Sequence, residues 1–140
     1  MKNLQFAKVI PTDSDINDLY TLLKKRKHSI SHAEMPEYNQ HAEFVSNHPY
    51  QKWWIVRKEN ELMGSVYITN ENAVGINLAC DNTDFFKDII SWVTSENTPL
   101  PPIPSVRPSF FYINVAPTNN SLINAIDQMN GEVTQVSYKI

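Results

Sequence analysis

Four histidines, one cysteine and fifteen acidic side chains are the groups of this 140-residue chain best suited to move protons or bind ions. His28 and His32 stand four apart, a spacing that can put two imidazoles on one helix face for a metal ion. No third ligand follows at a suitable distance, so no metal site is expected. His41 falls on the inward stripe formed with Tyr38, Ala42 and Val45. An imidazole there could take a proton from an amine, having a near-neutral reference pKa. The commoner state of such a residue is a buried ring with one satisfied hydrogen bond. Tyr67 and Glu71 lie on a strand and its turn, where they could touch an amine or simply be solvated. Arg107 is an isolated cation that could reach a phosphate, although plain surface solvation also accounts for it. The stretch Asp81-Asn82-Thr83-Asp84 holds two acids and no glycine. Side chains of these types cap a helix start internally, and two carboxylates repel an anion.

Composition narrows the classes of function. At 41% hydrophobic and 11% aromatic residues, the chain suits a soluble globular fold, and its length suits a single domain over 1–140. The net charge of −3 and the mixing of both signs argue against a nucleic-acid partner. Lys24-Lys25-Arg26-Lys27 is a short basic run at a predicted helix end, where cations complement the helix dipole. Cys80 is the one cysteine, which excludes an internal disulfide framework. No run is long and apolar enough for a membrane span, and no signal-peptide pattern opens the chain. A cytoplasmic protein with no membrane partner is expected.

Periodicity supplies the elements that must position these groups. Leu4–Ile10 reads as a strand ending at Pro11, and Thr12-Asp13-Ser14-Asp15 is a dense N-cap signal. The following helix places Ile16, Leu19, Tyr20 and Leu23 on one face and fades near His28. Pro36 can start a second helix, closed by Asn47-His48-Pro49. Trp53–Lys58, Leu62–Thr69 and Ala73–Cys80 read as a meander joined by short polar turns. The next helix uses Phe85, Phe86, Ile89, Ile90 and Val93. Pro99, Pro101, Pro102, Pro104 and Pro108 mark an extended loop. Ser109–Val115 reads as a strand, Asn119–Asn130 as a helix stopped by Gly131, and Glu132–Ile140 as a closing strand. The order is β-α-α-β-β-β-α-β-α-β. Mixed α/β (α+β), with a central, largely antiparallel sheet flanked by helices, is the fold class.

That order resembles the GNAT superfamily of N-acetyltransferases. PYQKWWIVRKENELMGSVYITNENAVGINL is similar to its central meander, and INVAPTNNSLINAIDQMNG to its fifth strand, Asn-bearing turn and following helix. SISHAEMPEYNQHAEFVSNHPYQKWW resembles a bacterial subgroup often associated with amino-sugar acetylation. The resemblance implies a GNAT-like fold and an acetyl-CoA arm lying between splayed fourth and fifth strands. It implies backbone contacts at Asn77, Leu78 and Ala79, with Leu78 at the oxyanion position. It further implies cofactor contacts at Thr83 and at Asn119 or Asn120, which could equally be helix-capping residues. His41 is the candidate base, and His32, Tyr67 and Glu71 are candidates for the acceptor side. The acceptor would be a small-molecule amine, and a homodimer is the expected partner arrangement.

Two features depart from the family pattern. The glycine-rich loop that wraps the CoA diphosphate is replaced by the short acidic junction Asp81–Asp84. The helix after the fifth strand carries Ala125, Ile126 and Asp127 where many relatives have a proton-donating tyrosine. Two functions are therefore compatible with the chain. One is acetyl transfer from acetyl-CoA to a primary amine, for example of an amino sugar. The alternative is a catalytically degenerate GNAT-fold module that binds a partner without CoA.

Overall fold

The computed structural model describes residues 3–26 and 35–140. In chain order the elements are β1 (Leu4–Lys8), α1 (Asp13–Lys24), α2 (Tyr38–Ser46), β2 (Lys52–Lys58), β3 (Glu61–Ile68), β4 (Ala73–Leu78), α3 (Thr83–Glu96), β5 (Tyr112–Ile113) and α4 (Asn120–Gln128). The five strands lie side by side in sequence order. All neighbours are antiparallel except β4 and β5, which run parallel.

Adjacent strand residues point to opposite faces, so the sheet carries two cores. On one face Val56, Val66, Ile68 and Val74 meet Phe86, Ile89 and Val93 of α3 and Leu122 and Ala125 of α4. On the other, Trp53 and Ile55 meet Ile16, Leu19 and Leu22 of α1 and Val45 of α2. The tryptophan pair follows the same rule. Trp53 is buried toward α1 and α2, while half-buried Trp54 packs edge-on against Trp92 at 5.1 Å.

Local chemistry explains the element ends. Thr12 caps α1 by accepting from the Asp15 N–H at 3.2 Å, and the Asp15 carboxylate accepts from the Ile10 N–H at 2.9 Å. Glu37 and Gln40 form a capping box at the start of α2, one residue after Pro36. Glu59 and Asn60 both take positive φ, 51° and 66°, which makes a tight two-residue hairpin between β2 and β3. Lys58 pairs with Glu61, so Glu61 belongs to the strand and not to the turn. Met63 is an extra residue on β3, a bulge that resets the register opposite Val56 and Arg57.

Three expectations are corrected. β5 shrinks from the expected 109–115 to Tyr112–Ile113. The left-handed residue that closes α4 is Asn130 (φ 62°), not Gly131, whose N–H instead donates to Ile126 O at 2.9 Å. The closing strand 132–140 does not form: that segment pairs with no described strand, and all nine of its residues are exposed. Alternation makes a segment fit for a sheet, but a strand also needs a neighbour for its backbone groups.

Asn72 is the main polar residue of the interior. It is fully buried and left-handed (φ 72°). Its amide donates to Leu100 O at 3.0 Å and Pro108 O at 2.9 Å, and its oxygen accepts from the Leu100 N–H at 2.8 Å. Arg107 adds bonds to Pro101 O at 2.7 Å and Asn70 O at 3.1 Å. These two side chains hold the proline loop against the base of the β4–β5 junction, and Arg107 is thereby engaged as a clamp.

Candidate functional site

β4 and β5 pair only at Ala73 with Tyr112 and Val74 with Ile113. On its other side β4 stays paired with β3 as far as Gly64 and Leu78. The stretch Gly75–Leu78 therefore has a neighbour on one side only among the described residues. Strand alternation decides which backbone groups that leaves open. Ala79 donates its N–H to Met63 O at 2.9 Å, and Ala73 O accepts from the Thr69 N–H at 2.9 Å. Odd-numbered residues thus serve β3, and the N–H and C=O groups of Ile76 and Leu78 turn toward the gap.

The gap forms a small cavity of about 30 Å³ lined by Arg26, Ile76, Asn77, Leu78, Asp81, Phe86 and Asn119. Asn119, 8% exposed, forms its wall from the start of α4, where its side chain accepts from the Leu122 N–H at 3.3 Å. Phe86 comes from the first turns of α3, and Arg26 from just beyond the end of α1.

Four residues, Ala79 to Asn82, join β4 to α3. The helix start is capped by Asn82, whose side chain accepts from the Phe85 N–H at 3.0 Å. The cap thus comes from Asn82 and not from either flanking aspartate. Thr83 is committed to α4, its hydroxyl donating to Ser121 O at 3.2 Å. Asp81 borders the cavity and Asp84 sits in the first turn of α3.

The expected site residues divide into two groups. Asn77, Leu78 and Asn119 come together around the cavity. Ala79 follows Leu78 directly, but its N–H is taken by Met63. Asn120 is exposed at the start of α4 and does not line the cavity. His41 lies elsewhere, buried between α1 and α2, with Nε2 donating to Ile16 O at 2.9 Å and the Tyr20 ring 5.1 Å away. Burial lowers its pKa, outweighing the opposite pull of the Ile16 carbonyl. A stripe pointing inward identified the burial but not which space it faced. Tyr67 stacks on Tyr50 at 3.9 Å, and burial raises the pKa of both phenols. Glu71 is exposed in the β3–β4 turn. It lies seven residues before Leu78, roughly 20 Å away at strand rise. His32, and with it the His28–His32 pair, falls outside the described residues. Arg26 was legible only as part of a basic helix end, and nothing in the sequence pointed it at the β4–β5 gap.

The residues fit one part of an acyl-CoA better than another. Open amides beside a parting pair of strands suit a thioester-bearing arm. A helix start whose Phe85 N–H is already taken by the Asn82 side chain, with Asp84 in its first turn, suits a diphosphate less well, because that group needs free N–H donors.

A crystal structure described as that of a possible acetyltransferase from Clostridium difficile 630 superimposes with a TM-score of 0.60, covering 98% of this chain and 96% of that one. The fold is GNAT-like. Identity over the match is 10%, so the GNAT-like likeness is one of architecture. No family profile and no curated protein matches the chain. Among the described residues no three or more His, Cys, Asp or Glu side chains are grouped to hold a metal ion. No described helix is long and apolar enough to cross a membrane.

Proposed function

We propose that the chain is a GNAT-type N-acetyltransferase that receives an acyl-thioester arm in the β4–β5 gap and a small-molecule amine beside it. The observation that carries this reading is the pair of backbone sites at Ile76 and Leu78 that have no strand partner among the described residues, facing a gap whose walls are Asn77, Phe86 and Asn119. Acetyl-CoA, when bound, supplies an acetyl group already activated as a thioester. The chain's own part is positioning and charge stabilisation. The Leu78 N–H is held in direction by the flanking ladder bonds to β3, so it can donate to a developing oxyanion without reorganising. Asn119, fixed by its cap, borders the same space and can orient the arm. His41 is enclosed between α1 and α2, so we assign the amine proton to solvent and not to that imidazole. An amino sugar is one acceptor of the right class.

A second reading rests on the other end of the gap. The capped start of α3 and its two aspartates favour a ligand without a diphosphate, or a binding module that performs no transfer. Calorimetric titration with acetyl-CoA, S-acetyl-pantetheine and desulfo-CoA separates the two. Under the first reading acetyl-CoA binds, raises the melting temperature by mass action, and is consumed when an amine is supplied. Absence of binding by either thioester at millimolar concentration would leave the non-CoA module. Binding of acetyl-pantetheine alone would keep the thioester site and remove CoA from it.

A further inference from the structure

The β4–β5 gap is lined from both faces of the sheet. Leu78 and Phe86 belong to the core shared with α3 and α4. Arg26 reaches the gap from the opposite face, where α1 packs. Its backbone N–H donates to Leu23 O at 3.2 Å, which ties it to the last turn of that helix. Asn77 turns the same way. Ile76 and Leu78 face α3 and α4, so the residue between them faces α1. The Asn77 carboxamide is half-buried and makes no hydrogen bond among the described residues. Asp81, in the β4–α3 link, lines the same cavity.

These three side chains differ in what they recognise. A guanidinium only donates, a carboxylate only accepts, and a carboxamide does both. An amine protonated near neutral pH meets repulsion from Arg26 unless it also carries an anionic group. A carboxylate is a group whose shape the guanidinium fork matches, through two parallel N–H···O bonds. Asp81 offers the ammonium group a counter-charge in the same space, and Asn77 can bond to either end. Arg26 and Asp81 already have interactions of their own, and a ligand with one group of each sign replaces them in kind. An unphosphorylated amino sugar has no anionic group and would use only half of this pattern.

We propose that the acceptor is an amino acid, its carboxylate held by Arg26 and its ammonium group by Asp81, with Asn77 bonding to one or both. The inference rests on the acyl-transfer reading for the fate of the amine and narrows its acceptor. The recognition itself uses only the charges around the gap.

Calorimetric titration of the full chain with the common amino acids, each beside the amine left when its carboxylate is removed, tests it. The series is run on the chain alone and again with desulfo-CoA present, so that a site completed by the cofactor is also read. At least one amino acid should bind roughly tenfold or more tightly than its decarboxylated counterpart. Arg26→Gln should abolish that preference by weakening the amino acid while the amine holds or gains. The retained amine affinity shows that the gap survives the substitution. Asp81→Asn should weaken amino acid and amine by similar factors. Equal binding of the two by the parent, a preference undiminished in Arg26→Gln, or no amino acid bound in either series would overturn the proposal. So would tighter binding of O-phosphoethanolamine than of any amino acid, the mark of a phosphate site. Failure of the acyl-transfer reading has a different signature: amino acids bind with the stated preference while acetyl-CoA is neither bound nor consumed.

Discussion

Where β4 begins, Ala73 and Val74 are zipped to β5 and Asn72 fastens the proline loop beneath them; where it ends, Ile76 and Leu78 have no strand of the described residues beside them. The first region spends the whole Asn72 side chain on its own backbone. The second leaves the Ile76 and Leu78 backbone without a strand partner among the described residues, and the gap between β4 and β5 opens there. The difference suggests a division of labour, in which an over-determined base holds two strands together so that their far ends can part without unravelling. A gap of this kind needs rigidity next to it, because open amides serve a ligand only if they keep their direction.

The sharpest way to break that contrast is to loosen the base. Asn72→Ala would orphan the Leu100 N–H and the Leu100 and Pro108 carbonyls, and would force alanine into a left-handed conformation. The expected loss is roughly 3–5 kcal/mol, read as a shift in urea midpoint at unchanged slope. Asn72→Gly should recover about 1 kcal/mol of it, since glycine accepts that backbone freely. If both variants melt like the parent, the base is not what holds the junction.

Next in size is a change that presses on the open end from behind. Gly64 lies against β4, and a Cβ there would meet the Asn77 carbonyl and come within 2.8 Å of Leu78 Cδ2. The carbonyl belongs to the backbone and cannot swing away. Gly64→Ala should cost about 1–3 kcal/mol. It should also abolish the thermal shift given by any thioester ligand. Loss of stability with undiminished binding would detach the gap from the strand geometry assigned to it.

Electrostatics at the start of α3 predicts a smaller effect. Removing both carboxylates with Asp81→Asn and Asp84→Asn takes away two charges at a helix N-terminus, each about 0.3–1 kcal/mol against an incoming anion. CoA affinity should rise roughly three- to thirtyfold, while S-acetyl-pantetheine affinity stays level. Equal gains for both ligands would show that the aspartates act on something other than the diphosphate.

The least effect concerns acid. Burial lowers the pKa of His41 below its unfolded value near 6.5, and that of His48 in the same direction. The folded state therefore resists protonation. Its stability is complete above about pH 6.5 and falls as pH drops from there through the folded pKa, where the unfolded chain binds the extra proton. His41→Gln should flatten the melting temperature between pH 7.5 and 5, with His48 leaving a residual slope. A slope equal to the parent's would mean that His41 does not govern the response.

Much of the architecture was legible because it depends on periods and caps. Ile16 and Leu19 recur at helical spacing, although the buried face continues to Leu22 and not to the expected Leu23, Trp53 to Val56 form an apolar run between turns, and Thr12 and Asp15 announce a helix start. What escaped the sequence depends on partners far away in the chain. Asn72 looked like an ordinary turn residue, because its three hydrogen bonds go to residues 28 and 36 positions later. The curtailed β5 and the unseated 132–140 segment show the same limit, since alternation says nothing about whether an edge is within reach. The Asn77, Leu78 and Asn119 grouping was accessible through family resemblance. The place of His41 was not, because both sheet faces are lined by helices with inward stripes.

The unbroken pairing of β3 with β4, from Gly64 with Leu78 to Ile68 with Val74, has one more effect on the molecule. Each step along a strand reverses the direction of its backbone groups, so orientation in β4 is a matter of parity counted along the β3 ladder. Drift in the length of the β4–α3 link leaves that count untouched, whereas adding or deleting one residue within the ladder would swap the Leu78 amide for its neighbour's. Evolution could thus remodel the mouth of the gap freely and still be unable to edit the strand behind it by a single codon.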